Sequence, residues 1–390
     1  MILFFFLLIC VGLSSPLLNR VGTGVNRMIG GSDEAYQSHE TVAVSSGLEK
    51  RMTRYMWYNT VAPCVPKRLQ HPFKCEAQGC TKVGTQTELV DVFTHSGDVL
   101  DVFTDRTISG FLALDHKNKE ILLVLRGTQD ANDWVTDLRL RLVPLEASHL
   151  DAPSIGCHGC QVNVGFLEAY QHTWRVVDST IRDLKKRYPN YQLVLTGHSL
   201  GGTAAILFGL NYKLNGLHPT VFTAGAPAIG NKQFANFADQ VFWGSSNPDT
   251  LSVPENRLCF LRLTHRGDLI PRFPFWGGYQ QMSGEIFIND IRGIYPPLSS
   301  LRRCNGQQNN RCSFGDQNRQ LEMNFRPHSA YLVPGSECSF SNREGHIGRG
   351  GAGDMVNAMD TANTTEDTTD TTEMDPGLLA VEIPVVAGPV

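Results

Sequence analysis

LVLTGHSLGGTAA, residues Leu193 to Ala205, decides the fold. An apolar run from Leu193 to Leu195 leads into Gly197-His198-Ser199-Leu200-Gly201, and small and apolar residues continue from Gly202 to Leu210. G-x-S-x-G on its own arises often by chance. Its flanks give it meaning: a strand before the serine, a sharp turn relieved by small neighbours, and a helix directly after it. That helix would aim its N-terminal dipole at charge developing beside Ser199. A serine in an ordinary glycine turn, the competing reading, leaves the flanks without a role.

Working outward, short strand-like runs TELVDVFT, GDVLDVFTD, ISGFLALD and KEILLVLRG precede the motif, separated by Gly, Asp and Asn turns. The last is nearly continuous in apolar residues, as a strand buried on both faces requires. Phe166, Tyr170, Trp174, Val177 and Ile181 then recur at helical spacing up to Pro189. Met52, Tyr55, Met56, Tyr58 and Val61 predict another amphipathic helix over Glu49–Ala62. Within it Lys50-Arg51 reads as two solvated charges, with a dibasic processing site as the alternative. Strand YQLVLTG, helix HSLGGTAAILFGLNYKL and strand TVFTAGAP follow, an alternation that implies right-handed parallel crossovers and an α/β domain.

A serine hydroxyl attacks only when a base takes its proton and an acid orients that base. In this fold the chain order is Ser, Asp or Glu, His. Asp268 lies just past the strand Leu258–Thr264 and is the expected acid. Of the later histidines, His346 sits in a glycine-rich stretch, so His328 in NFRPHSAYLVP is the expected base. Oxyanion donors are expected at the N–H of Leu200 and, after strand EILLVLRGT, at Thr128.

The chain has 390 residues and a net charge of −4, without a basic block, which argues against a nucleic-acid partner. MILFFFLLICVGLSS has the length of a secretory apolar core and is too short to span a bilayer, so residues 1–18 are expected to be a signal peptide. A buried strand or short anchor is the alternative. Ten cysteines less Cys10 of that leader leave nine, several in close pairs, which points to disulfides in an oxidising compartment. Cys157 and Cys160 in CHGC could form half a metal site, but no second half exists in the sequence. Cys259, inside RLCFLRL, is expected to remain a buried thiol. No metal or organic cofactor is expected. From Ser339 onward the chain turns glycine-rich, then acidic and threonine-rich, and is expected to be disordered, with a glycosylation sequon at Asn363. Residues 19–48 form an N-terminal extension in this reading, and 49–338 the catalytic domain.

GFLALD, LRGTQDANDW, CHGC followed by VGF, TGHSLGG, LRLTHRGDLIPRFP, GGYQQMSGEIFI and HSAYLVPGSEC together resemble the class 3 lipases, especially the secreted filamentous-fungal branch. The resemblance covers about Glu49 to Cys338. It implies an α/β-hydrolase fold with a central, mostly parallel sheet, helices on both faces and a short helical lid. It also implies a triad of Ser199, Asp268 and His328, an oxyanion hole of Thr128 and Leu200, and disulfides Cys64–Cys338, Cys75–Cys80 and Cys157–Cys160. A fourth bridge, Cys304–Cys312, is extrapolated from the polar insertion RRCNGQQNNRC. The lid falls on QDANDWVTDLRLRLVPL, where Trp134, Val135, Leu138 and Leu142 or Val143 would make an apolar face if helical. The resulting expectation is a secreted, monomeric lipase, with cell-surface association as a variant, acting on aggregates of acylglycerols. A soluble or feruloyl-type carboxylesterase, a mono- and diacylglycerol lipase and a non-catalytic surface binding protein are the alternatives.

Overall fold

A computed structural model describes residues 37–94, 108–127, 141–152, 155–274, 277–316 and 326–340. The expected leader, Thr128, the lid positions Trp134, Val135 and Leu138, the run GDVLDVFTD, Asn363 and the tail from 341 onward lie outside them. All described residues fall in one compact unit.

Its frame is a nine-stranded sheet: β1 (Thr41–Ala43), β2 (Thr87–Phe93), β3 (Gly110–Asp115), β4 (Glu120–Leu125), β5 (Gln192–His198), β6 (Thr220–Ala224), β7 (Phe260–His265), β8 (Glu285–Ile288) and β9 (Leu301–Cys304). The spatial order is β1-β9-β8-β7-β6-β5-β4-β3-β2. The five middle strands, β4 to β8, run parallel as expected of the centre, and both flanks pair antiparallel, making a mixed sheet. β1 stands upstream of Glu49, so the sheet draws on the segment read as an extension. β9 lies where a polar insertion was expected. Its Arg303 is buried and donates to the carbonyls of Thr250 and Val253, satisfying a loop that would otherwise bury bare acceptors.

β4, EILLVL, shows why helices cover both faces. Ile121, Leu123 and Leu125 enter one core with α3 (Val164–Arg187), α4 (Leu200–Leu214) and α5 (Lys232–Trp243), while Leu122 and Val124 enter another with α1 (Ser46–Val61) and the short α2 (Gln78–Val83). α1 starts where the Ser45 hydroxyl accepts the Leu48 N–H, and buries all five periodic positions from Met52 to Val61. Arg51 within it donates to the Glu255 carbonyl at 3.0 Å, while Lys50 is exposed. α3 is capped by Asn163, ends in Lys185, Lys186 and Arg187 and stops before Pro189. α4 is buried nearly all round, which explains its lack of charged residues before Lys213.

Leu142 and Val143 are not helical. With Pro144 they form a short strand against Gln161–Asn163, the conformation that a β-branched residue before proline favours. The structure joins Cys64 to Cys338, Cys75 to Cys80, Cys157 to Cys160 and Cys304 to Cys312, and Cys259 is a buried thiol.

Candidate active site

The carboxyl ends of the parallel strands meet along one edge of the sheet, where α/β folds place their sites. Ser199 stands between β5 and α4 with φ 55° and ψ −127°, a conformation costing about 1–3 kcal/mol at a non-glycine residue. Tight packing holds it there. A Cβ at Gly201 would lie 2.2 Å from Leu125 O, so only glycine lets α4 begin against the end of β4. The Ser199 N–H donates to Ala224 O at 2.9 Å, fixing the turn to the end of β6. Leu200 opens α4, where first-turn amides have no helical acceptor. Gly127 brings the strand-β4 loop against the same turn: a Cβ there would lie 3.1 Å from the Ser199 Cβ. Thr128 follows it immediately, outside the described residues.

Asp268 follows β7 and is buried. Its Oδ1 accepts the Ile270 N–H at 2.9 Å, its Oδ2 lies 2.9 Å from His328 Nδ1, and Tyr331 donates its hydroxyl to the same oxygen. Burial pushes the Asp268 carboxyl up, but the His328 charge and these hydrogen bonds outweigh it and hold the carboxyl below its ordinary value. His328 is also buried, and its Nε2 has no hydrogen-bond partner among the described residues. An acceptor on one ring nitrogen thus orients the imidazole while the other nitrogen is left for a third group.

Two further residues complete the arrangement. His198, beside Ser199, donates its Nε2–H to the His328 carbonyl at 2.7 Å, and the two rings are 4.5 Å apart. Burial, then the nearby His328 charge, pushes His198 down to about 3, so it is a neutral donor at physiological pH. Tyr331 is buried and pushed well above its ordinary value, by burial first and by Asp268 second. Sequence reasoning singled out neither. The signals were present in the x of G-x-S-x-G and in HSAY, but assigning them needed the fold that brings β5 beside the His328 segment.

The structure therefore gathers Ser199, Asp268, His328 and Leu200 at one edge. Among the described residues, the cluster with metal-ligand atoms is Glu285, Cys304 and Cys312, whose two sulfurs are joined to each other.

The model of the family described as lipase (class 3) matches residues 122–278. Secreted mono- and diacylglycerol lipase 2 of Gibberella zeae is 31% identical over 234 residues, covering 53% of this chain and 55% of that protein. Secreted mono- and diacylglycerol lipase 1 of Fusarium solani is 26% identical over 307 residues, covering 77% of this chain and 81% of its own. The crystal structure of Lip2 lipase from Yarrowia lipolytica superimposes with a TM-score of 0.70 at 36% identity, covering 78% of this chain and 99% of that one. The chain spans about half the length of the first curated relatives it matches.

Proposed function

The chain belongs to the class 3 lipase family, and from that premise we propose that it is a secreted serine lipase cleaving acylglycerol ester bonds at a lipid–water interface. Ser199 Oγ attacks the ester carbonyl as His328 Nε2 takes its proton. The tetrahedral oxyanion is received by the Leu200 N–H and by Thr128. His328 then passes the proton to the departing glyceride oxygen, leaving an acyl-enzyme that water hydrolyses by the same route. Asp268 keeps the imidazole in the productive tautomer and stabilises its transient charge. The observation that carries this reading is the buried His328, bonded to Asp268 at Nδ1 and without a partner at Nε2, beside a strained serine.

In this reading Trp134, Val135 and Leu138 belong to a lid whose apolar face exchanges the site for lipid on opening. Hydrolysis of emulsified triolein and of a soluble butyrate ester, followed across the solubility limit, tests both parts. Absence of turnover in either phase would remove the lipase reading; absence of a rise at the limit would remove the lid. Partial glycerides are the second reading, favoured because relatives 31% and 26% identical are named secreted mono- and diacylglycerol lipases. A panel of tri-, di- and monoolein separates the two.

A further inference from the structure

Among the described residues, six large apolar side chains are exposed, and four of them, Ile291, Ile294, Tyr295 and Leu298, fall within eight positions of the loop after β8. Burial drives apolar side chains inward, so such a cluster on an ordered loop marks a contact surface. Because β8 runs parallel to β7, this loop leaves the same sheet edge as Ser199 and Asp268.

It is built rather than slack. Leu332, four residues beyond His328, donates its N–H to Gly293 O at 2.7 Å and accepts the Tyr295 N–H at 3.0 Å. The His265 ring nitrogens lie 3.0 Å from Pro327 O and 2.6 Å from Asp290 O, linking the loop to the residue before His328. Tyr295 has φ 45°, an unfavourable conformation for an aromatic residue, and is 62% exposed. Arg292, the loop's cation, is paired with Asp290 at 3.2 Å, so the surface offers apolar area without an unpaired positive charge among its residues.

We infer that Asp290–Leu298 is a fixed anchor for an uncharged acylglycerol surface, seating the sheet edge on lipid independently of any lid. Tyrosine and isoleucine held beside paired charge suit that boundary, where an aromatic ring sits apolar side in and hydroxyl out. This inference rests on the lipase reading above.

The test uses full-length Ser199→Ala protein, to prevent turnover, and co-flotation with droplets of triolein and diolein. Adding Ile291→Ser and Tyr295→Ser is expected to weaken partitioning at least about tenfold, since each side chain loses most of its burial in lipid. With Ser199 restored, the double variant should hydrolyse a soluble butyrate ester at the parent rate. Unchanged partitioning overturns the anchor and leaves the lipase reading intact; failure of the parent to hydrolyse any ester removes the lipase reading instead. A shift in sedimentation without droplets would make the loop a self-association surface and also overturn the anchor. If the double variant misfolds, Tyr295→Trp provides the decision: the emission it adds to that of the five native tryptophans, taken as the difference from the parent, should move to the blue on droplets, and an unmoved difference spectrum refutes the proposal.

Discussion

Asp268 shows how single side chains set the chemistry. Its carboxylate collects the Ile270 amide, His328 Nδ1 and the Tyr331 hydroxyl, and a carboxylate with that many donors keeps its charge against burial. Asp268→Asn, which holds the shape but reverses the tautomer preference of His328, should lower kcat by about 10⁴ in soluble-ester assays. Tyr331→Phe should act more gently. A group whose folded pKa is depressed contributes stability above its unfolded pKa, and loses it as pH falls through the folded value. Removing the Tyr331 donor raises that folded value, so acid unfolding should move to higher pH, with about 1.5–3 kcal/mol lost at neutral pH. Urea titrations across the acid range read both effects, and an unmoved acid midpoint would show that Tyr331 does not hold the carboxylate. The triad candidates were legible from motif and chain order. His198 and Tyr331 were not, because a histidine or tyrosine gains its role from a neighbour distant in sequence.

At the scale of elements, legibility followed burial. β4 and β5 are apolar on both faces and stand out in any reading of the sequence, whereas β9, LRRC, looks like a polar connection because its arginines are used structurally. The pairing of β7 with β8 rests on another hidden arrangement. Arg262, 1% exposed, directs Nε to Met282 O at 3.2 Å and Nη2 to Glu285 Oε2 at 3.7 Å, and Glu285 also accepts from Thr264 and from the Ser313 N–H. Burial pushes the Arg262 guanidinium down, with Glu285 the main opposing influence. Glu285→Gln removes that cation's ion-pair partner, leaving the Asp239 charge as the remaining counter-influence, and should cost about 3–5 kcal/mol, read by denaturant unfolding. Arg262→Met combined with Glu285→Leu should recover much of the loss, because replacing a buried pair with apolar volume is often neutral. A loss confined to a few tenths would mean that the backbone pairing of these strands suffices without the ions.

The whole molecule must keep a serine from β5, an acid after β7 and a base near the end of the described chain in register, although they are far apart in sequence. Motif and chain order pointed to all three, and the resemblance to class 3 lipases implied the bridge that holds their segments. It is the Cys64–Cys338 bridge, spanning 274 residues, which ties the segment after α1 to the segment ten residues beyond His328. Further contacts hold the same segment: Tyr331 to Asp268, Leu332 to Gly293 and Tyr295, the Gln78 N–H to Glu337, and buried Tyr331, Leu332 and Val333 in the core beneath α1. Closing so long a loop removes much of the unfolded chain's freedom, so Cys64→Ala with Cys338→Ala should destabilise the fold by about 2–5 kcal/mol. The same change removes a tether from the segment carrying His328 and Tyr331, so activity should fall at temperatures where the sheet remains folded. Circular dichroism and soluble-ester turnover, followed through one heating series, decide the point. In the parent the two should be lost together, whereas in the variant turnover should fail first. Coincident loss in the variant would show that the bridge stabilises the molecule without positioning its base.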